Sequence, residues 1–148
     1  MIEIKEISFG DKYYELSKVL RNEILRKPIG LVLNEDDTKN EDHQFHIALI
    51  ENNEDVMGTI IINPISGEIA EFRGVALSEN YQGQGLGRKL VEFAEEFVKN
   101  KEFTKIEMKA RIVAQKFYEV LGYQVVGEVF IKSTIPHIKM IKEDIKNN

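Results

Sequence analysis

The chain has 148 residues, the length of one ordinary domain, and its 43% hydrophobic and 30% charged residues are typical of a globular protein rather than a disordered one. With 20 Lys and Arg against 25 Asp and Glu, the formal charge is −5, the wrong sign for a protein that binds the phosphate backbone of nucleic acids. No apolar run approaches the roughly 18 residues of a membrane span and the charged start lacks a signal-peptide core, so we expect one cytoplasmic domain over residues 1–148, with no membrane or nucleic-acid partner.

The first half of the chain predicts a strand, a helix and an antiparallel meander. Isoleucines that alternate with charged residues predict a strand over 2–9. Asp11 is a candidate N-cap, apolar residues at helical spacing follow it, and Pro28 with Gly30 ends this helix near Lys27. Apolar, β-branched runs at 45–50 and 56–63 flank the turn residues 51–55, which predicts a hairpin, and 69–77 continues it as a third strand.

The segment 34–42 contains five carboxylates and one lysine, with no apolar residue to anchor it, so we expect an exposed acidic loop. A calcium loop counted from Asp36 fails, because Glu41 falls where Gly is needed and Ile47 where Glu is needed. His43 and His46 lie three residues apart, which on a strand points them to opposite faces. We therefore predict ordinary strand histidines and no metal site.

The second half predicts alternating helices and strands. After a glycine-rich turn at 82–87, apolar residues form one helical stripe over 86–98. A strand at 103–109, a short helix at 113–121 closed by Gly122, and a strand pair at 123–131 and 135–141 follow. The order β, α, β, β, β, α, β, α, β, β predicts an α/β protein of the α+β type, a mixed sheet with helices on its faces.

The most informative segment joins strand 69–77 to the next helix through Gln82-Gly83-Gln84-Gly85-Leu86-Gly87. Glycines let a ligand approach the backbone, and the helix N-terminus adds partial positive charge, so this loop predicts a phosphate or pyrophosphate site. The P-loop and dinucleotide-fold templates both fail, because Arg88 stands where each requires a glycine. The alternative is a glycine-rich turn that binds nothing.

Two blocks carry a resemblance to a known family. The Q-x-x-G-x-G loop resembles that of the GNAT family of N-acetyltransferases, whose loop binds the pyrophosphate of acetyl-CoA. Residues 110–123, with Ala114, the pair Phe117-Tyr118 and then Gly122-Tyr123, are similar to a later motif of that family. The resemblance covers essentially the whole chain. It implies a GNAT-like fold, with a mostly antiparallel central sheet flanked by helices, and acetyl-CoA (CoA) as cofactor.

The resemblance also implies the cofactor contacts. The pantetheine arm would run beside strand 69–77, against the backbone of Val75, Ala76 and Leu77. Gly74 in mid-strand fits either this close approach or a plain bulge. Arg111 stands where many members carry Asn, so an amide contact there is replaced by a side chain able to reach a phosphate. The pyrophosphate would be held, mainly through backbone N–H groups, by Gln82, Gly83, Gln84, Gly85, Leu86, Gly87 and Arg88.

The reaction implied is direct attack of a primary amine on the thioester, for which the absence of cysteine is no obstacle. Tyr118 matches the family's tyrosine and would donate a proton to the departing thiolate; its alternative role is a core aromatic. The N–H of Ala76 or Leu77 would bind the oxyanion. Glu71 lies on the strand face of Arg73, so it is either the general base or an ordinary ion-pair partner of Arg73.

The acceptor side is the least determined by the sequence. Arg21, Glu23 and Arg26 border the acceptor groove in the resemblance, although a solvated helix face explains them equally. Arg73 and His137 join them as candidate acceptor contacts, and for His137 a structural role is the competing interpretation.

The function predicted is an acetyl-CoA-dependent N-acetyltransferase that acts on a primary amine of a small molecule or peptide. The net negative charge favours a cationic acceptor through steering. A catalytically silent acyl-CoA-binding module is the alternative, and the assembly, monomer or homodimer, stays open.

Overall fold

The computed structural model describes residues 1–145, so the last three residues of the predicted domain lie outside the described part of the chain. One seven-stranded sheet has the order β1-β2-β3-β4-β5-β7-β6, and every neighbouring pair is antiparallel except β4 and β5. The predicted mixed, mostly antiparallel sheet is therefore confirmed. The strands are β1 (Ile2–Ile7), β2 (Phe45–Glu51), β3 (Asp55–Pro64), β4 (Ile69–Leu77), β5 (Lys105–Arg111), β6 (Gln124–Lys132) and β7 (Ile135–Lys142).

In the described part of the chain, four α-helices accompany the sheet: α1 (Lys12–Arg21), α2 (Glu35–Thr38), α3 (Leu86–Asn100) and α4 (Gln115–Val120). The carboxylate of Asp11 accepts the N–H of Tyr14 at 2.8 Å and caps α1, as predicted. The chain stays helical through a π-turn (Asn22–Arg26) and a 3₁₀ turn (Lys27–Ile29), and Gly30 ends it with φ 77°. None of the helices within residues 1–145 is long and apolar enough to cross a bilayer.

The two faces of the sheet carry separate apolar clusters. The larger cluster packs one face against α3, whose fully buried stripe consists of Leu90, Val91, Ala94 and Val98. The smaller cluster lies under α1 and includes Tyr14 and Ala48. Ile47 belongs to the first cluster and Ala48 to the second, as the alternation of side chains along β2 requires.

The expectation of an exposed acidic loop at 34–42 is wrong for Glu41. The segment forms α2 and a 3₁₀ turn (Glu41–His43), and the Glu41 side chain is fully buried between Arg21 and Arg73. Its counter-charges come from distant elements, which local composition does not reveal. The strand prediction for His43 is also wrong: it lies in the 3₁₀ turn with an exposed side chain, while His46 is buried on β2.

Strand β4 bulges and then separates from β5, and this opening positions the functional site. Ile61 pairs with Arg73 and Thr59 with Ala76, so β4 contains one residue more than β3 at Gly74, where φ is 59°. The parallel β4–β5 pairing runs only from Ile69 to Phe72. Beyond that point, within residues 1–145, β5 pairs only with β7. The open edge of β4 is therefore available to another extended chain.

The β6–β7 hairpin has a strained tip, which gives a stability prediction. Ser133 and Thr134 form its two-residue loop with φ of 51° and 68°, a conformation that Asn-Gly adopts far more readily. We expect the double substitution Ser133→Asn/Thr134→Gly to raise the free energy of unfolding by about 1 kcal/mol in urea denaturation. Asn53→Gly in the β2–β3 turn, where Asn already adopts φ 60°, is the control and should change stability far less. An unchanged or lowered stability of the double variant would refute the explanation by strain.

Candidate active site

The glycine loop after β4 presents a row of unsatisfied backbone donors. Gly83 and Gly85 have φ of 79° and 78°, and Gly85 is the N-cap of α3, with no side chain capping the helix. The first helical bond runs from the N–H of Lys89 to the Gly85 carbonyl at 3.2 Å. The N–H groups of residues 83–88 donate to nothing within residues 1–145. The open N-terminus of a 15-residue helix thus forms an anion site.

The two glutamines of this loop hold its shape. The Gln82 side-chain amide donates to the Leu77 carbonyl at 3.0 Å, and that of Gln84 donates to the Asn80 carbonyl at 2.9 Å. Arg88 forms an exposed ion pair with Glu92, with 3.4 Å between Nε and Oε2. These three side chains are engaged within the protein, while the backbone N–H groups of residues 83–88 are available to an anion.

The open edge of β4 continues directly into the loop. The Ser78 N–H donates to the Met57 carbonyl of the adjacent β3 end at 2.7 Å. Because N–H groups alternate in direction along a strand, those of Val75 and Leu77 point to the open side and that of Ala76 points to β3. Of the two oxyanion donors predicted, only the Leu77 N–H is directed into the opening. An extended chain with amide groups, ending in a pyrophosphate, fits the β4 edge followed by the glycine loop.

A cavity of about 220 Å³ lies beside the bulge, bounded by the end of α1, by β4 and β5, and by the β6–β7 hairpin. Many of the predicted site residues line it, while the glycine-loop residues 82–88 do not. The predicted residues in its wall are Arg21, Arg26, Glu71, Arg73, Val75, Arg111, Tyr118 and His137.

Tyr118 lines the cavity, as does Val75 of the open β4 edge. Its side chain is 6% exposed, with the ring packed edge-on to Phe117 at 5.0 Å and Tyr123 at 5.8 Å between centroids. Burial raises the pKa of its phenol, so it stays protonated through the neutral range. No group within residues 1–145 hydrogen-bonds the hydroxyl, which leaves its proton free for a ligand.

The buried carboxylate of Glu41 organises the floor of the cavity. Arg21 donates to it through Nη1 at 2.9 Å and Nη2 at 2.7 Å, Tyr14 through its hydroxyl at 2.8 Å, and Arg73 through Nη1 at 2.8 Å. Burial raises the pKa of Glu41, but the bonds from Arg21, Arg73 and Tyr14 outweigh it, and the net shift is downward. The His46 Nε2–H also donates to the Glu41 carbonyl at 2.8 Å.

This network also explains the glycine at the bulge. A Cβ added to Gly74 would stand 3.0 Å from Cδ1 of Ile61 and 3.3 Å from Nε of Arg21, and φ there is positive. The backbone of β4 therefore lies directly on the Arg21 guanidinium. Glu41 was missed by sequence reasoning, since nothing in its acidic neighbourhood distinguishes it from Asp36 or Asp42.

Glu71 is not the partner of Arg73. Arg73 binds Glu41, the side-chain oxygen of Gln44 at 3.0 Å and the Asp37 carbonyl at 3.0 Å. The Glu71 carboxylate accepts the Asn63 amide at 3.2 Å and faces the cavity. The ion-pair alternative for Glu71 is thereby removed, while its role as a base stays a prediction.

His137 is buried in the cavity wall, where its ring stacks on Phe130 and its Nδ1–H donates to the Ile135 carbonyl at 2.9 Å. Burial lowers its pKa, and the nearby Lys132, Arg111 and Arg26 lower it further. The imidazole is therefore neutral near pH 7, and its Nε2, which bonds no group within residues 1–145, is a hydrogen-bond acceptor.

Three predicted site residues remain, the acceptor-side candidates Arg26 and Glu23 and the cofactor-binding candidate Arg111. Arg26 lines the cavity and pairs with Asp37 at 3.1 Å, and the Arg111 guanidinium donates to the Leu25 carbonyl. Glu23 instead forms an exposed pair with Lys27 at 3.6 Å.

Comparison with known sequences identifies the class of protein. The model of the acetyltransferase (GNAT) family matches residues 10–123. A Bacillus subtilis (strain 168) protein, provisionally assigned as an acetyltransferase, is 31% identical over 131 residues, which cover 88% of this chain and 87% of that protein. YyaT of the same organism, an uncharacterized protein, is 34% identical over 83 residues, which cover 56% of each chain.

Solved structures have the same fold. The crystal structure of a provisionally assigned N-acetyltransferase from Lactobacillus plantarum has a TM-score of 0.86 and 25% identity, covering 97% of this chain and 98% of that one. A GNAT acetyltransferase from Elizabethkingia anophelis, with acetyl-CoA bound, has a TM-score of 0.72 and 20% identity over 96% and 97% of the two chains. Fold, site and relatives together define an N-acetyltransferase. The chain belongs to the GNAT family, which uses acetyl-CoA.

Proposed function

We propose that this protein transfers the acetyl group of acetyl-CoA directly to a primary amine of a small molecule or peptide. The observation that carries the proposal is the separation of β4 from β5, with the open glycine loop at one end and beside it a cavity that Val75 of β4 and Tyr118 both line. Acetyl-CoA would supply an activated acyl group as a thioester. One domain over residues 1–148 and a cytoplasmic location stay predictions from sequence length and composition.

Acetyl-CoA would be held almost entirely by backbone. Val75 would offer its N–H and C=O groups and Leu77 its N–H group on the open edge of β4, and the N–H groups of residues 83–88 would bind the pyrophosphate. The Leu77 N–H would also stabilise negative charge that develops on the acetyl oxygen. Because these donors belong to a strand and a helix end, they are fixed before the ligand arrives.

Two residues of the cavity wall would transfer protons, and a third would orient the amine. Tyr118 would donate its phenolic proton to the thiolate sulfur that leaves, since burial keeps the phenol protonated. Glu71 would take the proton of the incoming amine, directly or through water, because its carboxylate faces the cavity and is not in an ion pair. His137 would accept a hydrogen bond at Nε2 and orient the amine.

A thermal-shift series with acetyl-CoA, CoA, NAD and ATP tests donor binding. A ligand that binds only the folded state raises the melting temperature, and we expect both CoA forms to do so while NAD and ATP do not. Release of free thiol in the presence of an amine library then tests transfer. Binding without thiol release for any amine would favour the silent acyl-CoA-binding module instead.

Substitution of Gly85 tests the loop. A Val at φ 78° is strained, and its β-branched side chain would enter the space of the ligand, so we expect Gly85→Val to abolish the melting-temperature rise produced by acetyl-CoA. At about 100 times Kd, the stabilisation lost is about 2.7 kcal/mol.

Gly10→Val is the matched control for this loop. Gly10 has φ 83° and, like Gly85, no atom within 4 Å of an added Cβ, but it lies in the turn before α1. The two variants should lose similar intrinsic stability, and only Gly85→Val should lose the response to acetyl-CoA. A full response in Gly85→Val would place the pyrophosphate elsewhere.

A further inference from the structure

The cavity is strongly positive in an acidic protein. Its wall carries six cationic side chains and one carboxylate, Glu71. Two further carboxylates lie behind the wall and neutralise part of this charge: Glu41 binds Arg21 and Arg73, and Asp37 binds Arg26. Three positive charges remain in excess, in a chain whose formal charge is −5. The expectation of a cationic acceptor from net charge is therefore opposed by the local charge of the site.

Three of the cations have no acidic partner within residues 1–145. Lys109 and Lys132 form no ion pair there, and Arg111 is bonded only to a neutral carbonyl, that of Leu25. Their neighbour Lys139, opposite Lys109 on β7, is by contrast paired with Glu107 at 3.3 Å. The unpaired charges thus collect on the cavity side.

Burial, and after it nearby positive charge, lowers the pKa of two of these groups, Lys132 and Arg111. For Lys132, burial is the largest cause, Lys109, Arg73 and Arg26 lower the pKa further, and Glu71 raises it. Burial likewise lowers the pKa of Arg111, to which Arg26 adds. Like charges kept together without a stabilising partner indicate a missing anion.

The phosphates of the donor do not account for this charge. The anion site for the pyrophosphate consists of backbone N–H groups of residues 83–88, none of which lines the cavity. The cations instead surround the space that Tyr118, Glu71 and His137 face, where the acceptor would react.

We propose that the acceptor amine carries a second, anionic group, a carboxylate or a phosphate, that binds among Lys109, Arg111 and Lys132. The inference rests on the proposed acetyl transfer and names its substrate class. Arg111 offers a planar pair of donors suited to either anion. The two lysines add positive charge on flexible side chains, which can adjust to the position of the anion.

A matched panel of primary alkyl amines tests the proposal. γ-Aminobutyrate carries a carboxylate, O-phosphoethanolamine a phosphate, butylamine no second charge and putrescine a second amine. We expect kcat/KM, measured by thiol release at low salt, to be at least tenfold higher for one or both anionic amines than for butylamine, and lowest for putrescine. The first two amines distinguish a carboxylate from a phosphate, and added salt should reduce their advantage.

Lys132→Glu is the decisive variant, because Lys132 lies at the hairpin edge of the cavity and is not part of the apolar core. It should lower kcat/KM for the anionic amines at least tenfold and raise it for putrescine. Lys12→Glu makes the same charge change at the start of α1, about 14 Å along the helix from Arg21, and should leave all four values near wild type.

A binding measurement decides the inference independently of turnover. In protein saturated with CoA, O-phosphoethanolamine or γ-aminobutyrate should raise the melting temperature more than butylamine, and Lys132→Glu should remove the difference. Equal shifts for charged and neutral amines, or faster acetylation of butylamine or putrescine, would overturn the anionic acceptor while leaving acetyl transfer intact. Failure of acetyl-CoA itself to bind would instead refute the proposed function.

Discussion

Replacing Glu41 by Gln is expected to lower the free energy of unfolding by about 3–5 kcal/mol, the cost of leaving buried charge without its partner. The Glu41 side chain is 0% exposed and that of Arg21 is 2% exposed, so water cannot replace the lost carboxylate. Four hydrogen bonds from Arg21, Arg73 and Tyr14 converge on its two oxygens. An amide of the same shape accepts at one position only, and its NH₂ group would face donors.

Urea denaturation of wild type and variants measures this loss. Glu23→Gln is the control, because Glu23 forms an exposed pair with Lys27 and should change stability by less than about 0.5 kcal/mol. The double variant Arg21→Met/Glu41→Gln should cost less than the sum of the two single variants, since it removes both members of the pair. A loss below about 1 kcal/mol for Glu41→Gln would show that the carboxylate is not the main counter-charge of Arg21.

The pH dependence of stability provides a second measurement of the same group. The pKa of Glu41 is below its ordinary value of 4.5 in the folded protein, so its contribution is complete above about pH 4.5 and is lost as the pH falls through the folded pKa. The difference in stability between wild type and Glu41→Gln should therefore be constant near neutral pH and shrink in acid.

Much of the fold follows from local patterns in the chain. The Leu90–Val98 stripe determines the buried face of α3, Asp11 and Gly30 delimit the first helical segment, and β4 has its predicted bounds. The glycine loop was also predictable, because all of its parts are consecutive in sequence. The separation of β4 from β5 was not, since it depends on where a parallel pairing between distant segments stops.

The parts of the site that escaped prediction depend on long-range contacts. Glu41 binds Arg21, which is 20 residues away in sequence, and Arg73, which is 32 residues away. None of the three is distinguished by its neighbours in sequence. The charge of the cavity is a similar case: Arg26, Lys109 and Lys132 come from three elements, so the total of −5 for the chain conceals a local positive excess.

Tyr118→Phe is expected to lower kcat by roughly 10²–10⁴, the usual contribution of a positioned general acid, with little change in the KM for acetyl-CoA. The ring contacts with Phe117 and Tyr123 would be kept. Because no group within residues 1–145 hydrogen-bonds the hydroxyl, its removal leaves no buried partner unsatisfied. The variant should therefore fold with nearly wild-type stability, which separates a chemical role from a structural one.

Tyr123→Phe is the matched control, since it removes a phenol from the neighbouring ring. The Tyr123 hydroxyl donates to Oε2 of Glu95 at 2.8 Å in a buried position, so its loss should reduce stability by about 1–3 kcal/mol. It does not line the cavity, and kcat should stay near wild type. The two tyrosines thus predict opposite results: lost turnover with retained stability for Tyr118, and lost stability with retained turnover for Tyr123. Unchanged kcat in Tyr118→Phe would mean that the thiolate leaves without a proton from this residue, and Tyr118 would then be a core aromatic.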